Sequence, residues 1–436
     1  MTGRQNQPAT ASVIRDYFTV FFGHGISAFL SFLASVAIAR MISTSDFGIY
    51  STFIALSTIL ATLMDFGVTS SLVRFGSSLT GRNDETKLFK MIRSAIAGKV
   101  LLGVIVGAVG LAVISIIMPI GKGLEGSIIL ILVPLAGISL SFFYLIQGVL
   151  QIRRRFKRVT LLLTLKATLY ILGIIAAILL GLADPIVLGI LFVITTVAAT
   201  AVFSGVIRAT ASTPKERFSA RIIEARHLVK FGKWLAISGM CFTIFEQLPI
   251  TMATAGFGTS DAAQFAVAMS LIGVLGLVNV PLQTIIMPDL SSLKSRSELK
   301  VYLERAYVFV LPFAALIAAA LFLFSDKAIV LIYGDAYASS TSIFMILVVP
   351  AILSFVTLPI NSSLTFSFGR PHIAAVVNAM QLAGLLALFI LLTSAANVQV
   401  LAVAYAGLKG GGTLIVTIIA LLNLRRNGLP DNLAIQ

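Results

Sequence analysis

About a dozen apolar runs of membrane-spanning length follow one another along this 436-residue chain, and the short gaps between them switch in turn between basic and charge-poor. A spanning helix needs roughly 20 mostly apolar residues, so twelve of them would use about 250. The loops must then be short, and no stretch is long and polar enough for a soluble domain. Composition agrees: charged residues make up 11% of the chain, against about 25% in a soluble domain. The expected fold class is an all-α polytopic membrane protein with about 12 transmembrane helices.

Spans are expected near 18–39, 47–73, 97–118, 126–150, 159–182, 185–207, 231–255, 262–288, 306–324, 341–366, 372–394 and 398–423. The gap after span two holds Arg74, Arg82, Lys87, Lys90, Arg93 and Lys99, and the gap after span four reads QIRRRFKR. Every second gap is basic in this way, whereas the opposite gaps hold only Arg40, Lys122 and Lys327. With the terminal segments, 27 basic residues lie on one side and 3 on the other; Lys166 and Lys409, within spans, complete the 32. Under the positive-inside rule both termini are cytoplasmic and the span number is even. The net charge of +15 is thereby read as a topology signal and a set of anionic-lipid contacts rather than a nucleic-acid surface. Cys241 is the single cysteine, which excludes an intrachain disulfide and a cysteine metal cluster. The polar N-terminus, MTGRQNQPATASVIRDY, lacks a cleavable signal pattern, so the first run is expected to be a retained span.

The chain also repeats itself. STSDFGIYSTFIALSTI at 43–59 resembles GTSDAAQFAVAMSLIGV at 258–274, and SSLTGR at 77–82 resembles SSLKSR at 291–296. One nearly constant offset relates both pairs. An even number of spans per half preserves orientation, which points to parallel repeats related by an axis along the membrane normal. The expected organisation is a six-helix bundle over 1–207, a basic cytoplasmic linker over 208–230, and a second six-helix bundle over 231–436, around a central cavity.

Ionisable residues inside spans are expensive and therefore informative. Arg40 ends span one, Asp65 lies within span two and Arg74 ends it. Lys166 sits inside span five, Glu246 and Gln247 are in the middle of span seven, and Lys409 precedes the glycine triplet 410–412. Arg40, Arg74 and Lys166 could simply snorkel to the interfaces, and Asp46 and Asp261 suit helix caps. Asp65 is the expected resting partner of Arg40 or Arg74. Glu246, with only apolar neighbours in CFTIFEQLPI, is expected to face the lumen, as is Lys409. Gln147, Asn279, Gln283, Asn361, Asn378 and Gln381 could bond between helices or line a hydrated cavity. Pro134, Pro249, Pro281, Pro350 and Pro359 suit bends, and the glycine triplet should soften span twelve. No Walker motif, H-E-x-x-H or nucleophile elbow is present. A non-enzyme without a cofactor is expected.

The segment IARMISTSDFGIYSTFIALSTILATLMDFGVTSSLVRFG, residues 38–76, resembles the opening of Wzx-type polysaccharide flippases of the multidrug/oligosaccharidyl-lipid/polysaccharide exporter superfamily. The matching residues are Ala39-Arg40, Asp46-Phe47-Gly48-Ile49-Tyr50, Asp65-Phe66-Gly67 and Arg74. In the second half Ala262-Ala263 stands where the pattern has Phe-Gly. The resemblance implies movement of a polyprenyl-pyrophosphate-linked oligosaccharide across the bacterial cytoplasmic membrane, with a polysaccharide polymerase and a chain-length regulator as partners. It would make Arg40, Arg74, Lys166 and Lys409 phosphate contacts, since basic side chains match phosphate oxygens. Asp65 and Glu246 would couple to an ion or tune those cations. Competing expectations are a drug/cation antiporter of the same superfamily, a peptidoglycan-precursor flippase, a membrane-embedded polymerase and a non-transporting scaffold.

Overall fold

The computed structural model describes residues 10–81, 84–117, 124–208, 218–293, 295–392 and 397–425. Helices make up nearly all of them. In the first part of the chain these are α1 (Thr10–Met41), α2 (Thr44–Asp65), α3 (Val68–Gly81), α4 (Glu85–Ile117), α5 (Leu124–Ile152), α6 (Phe156–Leu179), α7 (Pro185–Phe203) and the short α8 (Gly205–Arg208). The second part holds α9 (Phe218–Gly256), α10 (Thr259–Ser292), α11 (Arg296–Tyr333), α12 (Ser340–Phe366), α13 (Pro371–Leu392) and α14 (Val398–Arg425), with a 3-10 turn at Asp335–Tyr337. Among the described residues, 11 helices are long and apolar enough to cross a membrane, and α10 is a further helix of 34 residues.

Local chemistry sets the helix ends. Ser43 accepts from Asp46 N at 3.1 Å while its hydroxyl donates to the Asp46 carboxylate at 2.7 Å, a reciprocal cap on α2. Asp184 accepts from Ile186 N and Val187 N, with Pro185 in the first turn, where its missing N–H is no loss. Ser295 does the same for Glu298 N at the start of α11. Inside the bundle, Thr52, Thr58 and Thr62 donate to the carbonyls four residues before them, so their hydroxyls are satisfied without water.

One expectation is corrected. Span two is not continuous: α2 stops at Asp65, Phe66 and Gly67 take φ of 41° and 73°, and α3 begins at Val68. The left-handed pair turns the chain, and Gly67 is required by space as well, because a Cβ there would lie 2.1 Å from Ala236 Cβ. The segment expected as a basic linker is helical from Phe218 and continuous with α9, while 209–217 fall outside the described residues. The glycine triplet lies within the continuous helix α14. Gly412 admits the Gln381 side chain, whose amide lies 2.2 Å from where a Cβ would be.

The helices form two groups around a cavity. Helix α2 packs on α5, α1 on α6 and α5 on α7, while α9 packs on α13, α10 on α12 and α12 on α14. Between the groups, α2 lies against both α9 and α10. The repeated motifs meet there. Ser45 Oγ lies 2.7 Å from Thr259 Oγ1, and Thr52 Oγ1 reaches Thr254 Oγ1. Gly48 lets the backbones touch, since a Cβ at 48 would stand 1.8 Å from the Thr259 carbonyl oxygen. Phe47 meets Tyr337 edge to face, and the Tyr337 hydroxyl donates to Ala39 O at 3.1 Å. These contacts join the two groups toward the charge-poor end of the bundle, and α9 also lies against α3 and α4 toward the other end.

Candidate functional site

Between the groups lies a cavity of about 960 Å³, lined from both of them. Ser27, Ser31 and Ser35 of α1, Tyr50 and Thr58 of α2, and Tyr170 of α6 give it a hydroxyl-rich face. Tyr50 and Tyr170 share a hydrogen bond of 2.6 Å. Three charged residues are among the lining: Lys166, Glu246 and Lys409. Two cations therefore face one carboxylate in a space walled largely by lipid-clad helices.

The two lysines are held differently. Lys166, on α6, lies over the rings of Phe143 and Phe192 at 5.0 and 4.6 Å and has no carboxylate partner among the described residues. Ring faces attract a cation without supplying a counter-charge, and this ammonium lies at the cavity wall. Lys409, on α14, lies 2.8 Å from Glu246 Oε1 on α9 and donates to the Tyr405 hydroxyl at 3.1 Å. Tyr405 is fixed in turn by stacking on Phe245 at 4.8 Å.

Asp65 does not pair with Arg40, whose guanidinium bonds elsewhere, and the expected pairing with Arg74 falls on a side chain outside the described residues. Among the described residues its partner is Lys99, which belongs inside α4 rather than in the basic gap where the sequence count placed it. The Lys99 side chain is fully buried and also donates to Ser141 O at 3.0 Å and Ser141 Oγ at 2.9 Å. Thr69 donates to the same Asp65 carboxylate from the first turn of α3. The cluster thus joins α2, α3, α4 and α5 at the break, and neither Asp65 nor Lys99 lines the cavity. The signal for Lys99 was its setting, AIAGKVLLGVIV, an apolar run on both sides.

Arg40 is also away from the cavity. It donates through Nε to Ile332 O at 2.7 Å and through Nη2 to Leu331 O. These are last-turn carbonyls of α11, which lack helical donors and carry the negative end of the helix dipole. Arg74 lies on α3, and its side chain falls outside the described residues. Asn361, Asn378 and Gln381 bond between helices: Asn361 accepts from Thr417, Asn378 donates to Ser238, and Gln381 donates to Leu408 O. The side chains of Asn279 and Gln283 fall outside the described residues.

A second hollow, of about 740 Å³, lies between α1, α10 and α11 and is lined mainly by apolar side chains such as Phe29, Phe32, Leu321 and Phe324. It shares Ser31, Ser35, Ser270 and Gly273 with the central cavity, so the two spaces adjoin.

The fold and the central cavity define the class: a polytopic helical membrane protein built around a cavity. A multidrug-resistance MATE-family transporter of the MOP superfamily, in an inward-facing conformation, superposes with a TM-score of 0.69 at 14% identity, covering 92% of this chain and 94% of that one. An outward-facing conformation of such a transporter gives 0.62 at 12% identity, with 95% of each chain covered. A MOP-superfamily transporter from Pyrococcus furiosus, described as having a binding pocket of reverse polarity that suggests a different function, gives 0.61 at 12% identity over 95% of both chains. At these identities the likeness establishes the fold. No curated protein sequence matches the chain. A family model described as polysaccharide biosynthesis protein matches residues 37–342, and the chain belongs to that family.

Proposed function

We propose that this protein carries a lipid-linked oligosaccharide, joined to its lipid through pyrophosphate, from the cytoplasmic to the outer leaflet of the bacterial cytoplasmic membrane by alternating access. The observation that carries the reading is the cavity wall, with Lys166 and Lys409 contributed by the two helix groups and Glu246 as the carboxylate among its charged residues. A cation costs about 2.5–3.5 kcal/mol at mid-membrane on insertion scales. Two retained at one cavity fit an anionic cargo better than the cationic drugs an antiporter would take. The hydroxyl-rich face suits a sugar, and the adjoining apolar hollow between α1, α10 and α11 gives a lipid chain a place beside the head group. In this reading the contacts at the charge-poor end are the closed gate of a state loaded from the cytoplasm. Membership of the polysaccharide biosynthesis family supports the same cargo. Arg40 has another role in this reading, holding α11 to α1.

Purified protein in proteoliposomes, supplied with a fluorescent polyprenyl-pyrophosphate oligosaccharide on one leaflet, tests it. Wild type should move the label across, and Lys166→Gln with Lys409→Gln should abolish movement at unchanged protein level. Undiminished transport by that double variant would sink the cationic path, and proton-driven export of a cationic dye by wild type would favour the antiporter.

A further inference from the structure

We infer that Glu246 is a built-in stand-in for the cargo's anion: its carboxylate occupies Lys409 when the cavity is empty and is displaced when a diphosphate arrives. The inference rests on the proposed function and names how one cavity lysine is kept ready. Comparison of the two intramembrane ion pairs carries it. Lys99 is fully buried, and bonds to Asp65 and to both oxygens of Ser141 account for its three protons. Nothing could enter without dismantling the cluster. Lys409 and Glu246 keep side-chain exposures of 14% and 19% and both line the cavity. Their contact is close, at 2.8 Å, yet Glu246 Oε1 has no hydrogen bond of proper geometry among the described residues. Lys409 has Tyr405 as its one hydrogen-bond acceptor of good geometry, which leaves donor capacity toward the cavity.

The helices on either side allow the pair to part. Pro249 lies three residues after Glu246 in α9 and cannot donate to the Phe245 carbonyl, so that turn is one bond short. Glycines 410–412 follow Lys409 directly, and a Cβ at Gly411 would meet nothing within 4 Å. A diphosphate offers Lys409 more negative charge and more acceptor oxygens than one carboxylate does. Exchange also prevents the empty carrier from exposing a bare cation at this wall while it returns.

The carboxylate therefore competes with the cargo, and removing its charge must strengthen anion binding rather than weaken it. Isothermal titration of the full-length protein in nanodiscs with inorganic pyrophosphate reads this directly. Relative to wild type, Glu246→Gln should bind at least tenfold more tightly and Lys409→Gln at least tenfold more weakly. The double variant should match Lys409→Gln, because the exchange runs through the lysine even though the Tyr405 hydroxyl also bonds to Glu246. Equal, weaker or undetectable binding by Glu246→Gln overturns the inference, as does any gain from Glu246→Gln that survives in the double variant. Should Glu246→Gln fail to fold, Glu246→Asp, which withdraws the carboxylate by one methylene, must show a gain of the same sign. The assigned function fails separately: the expected order of pyrophosphate affinities without oligosaccharide movement would keep the exchange and discard the cargo.

Discussion

Single residues show how differently one charge can be used inside a membrane. Lys99 is fully buried, and it and Asp65 lie off the cavity wall and bond to each other and to side chains or a carbonyl of α3 and α5, which marks them as the fastening of the α2–α3 break. Removing one member of such a pair leaves an uncompensated buried charge and costs about 3–5 kcal/mol, whereas removing both leaves none. Lys99→Met alone and Asp65→Asn alone should each lower the melting temperature in detergent sharply. The combined variant should recover most of the loss, and additive losses would show that the pair is not the fastening. The partners lie 34 positions apart on different helices, so no local spacing rule could have joined them. Lys409 and Glu246 were legible singly, as charges in apolar runs, but their pairing needed α14 laid against α9.

At the scale of elements, the contact between α2 and α10 is the clearest consequence of the repeat. The two TSD motifs, Thr44-Ser45-Asp46 and Thr259-Ser260-Asp261, begin these helices, and Ser45 bonds to Thr259 across the gap. Without a hydrophobic drive between helices in lipid, such contacts rely on small residues and interhelical hydrogen bonds averaging about 0.6 kcal/mol each. A seal of that strength can be broken once per cycle. Gly48→Ala should wedge it apart, because the added methyl has no room beside the Thr259 carbonyl. A cysteine at position 45, in a Cys241→Ala background, should then react faster with a membrane-impermeant thiol reagent added outside; an unchanged rate would mean that this contact does not govern closure. Conversely, Ser45→Cys with Thr259→Cys replaces oxygens 2.7 Å apart, within reach of a disulfide of about 2.05 Å. Oxidation should stop transport and reduction restore it. The repeat made this pairing readable from sequence. The break after Asp65 was not readable, because hydropathy carries no information on backbone φ and Phe66-Gly67 is as apolar as an unbroken helix.

For the whole molecule, the alternation of basic and charge-poor gaps and the apolar run lengths were sufficient to anticipate the all-helical architecture, since both are properties of long segments and survive errors at single residues. The cavity is a different kind of object: its lining comes from α1, α2, α5, α6, α7, α9, α10, α12 and α14, a few residues from each, and only packing assembles them. Orientation links the two levels, because the proposed direction of transport requires the charge-poor end to face outward. The gaps at the charge-poor end fall near Ile42, Asp184, Gly258 and Gly334, between consecutive long helices. Those at the other end include Arg154-Arg155, where Arg154 adopts a φ of 51°, and Gly369-Arg370, where Arg370 donates to Asn423. The second set carries the lysines and arginines that a cytoplasmic face retains. Reporter fusions after residues 42, 184, 258 and 335 should therefore read as external, and fusions after 155 and 369 as cytoplasmic. Moving the basic residues 153–155 to glutamine should blur the assignment of the fusions on either side of that gap, because short-loop charge sets the orientation. Cytoplasmic signals from any two of the first set would invert the molecule. The charge-poor end would then face the cytoplasm, and the cavity in this state would be open to release rather than to loading.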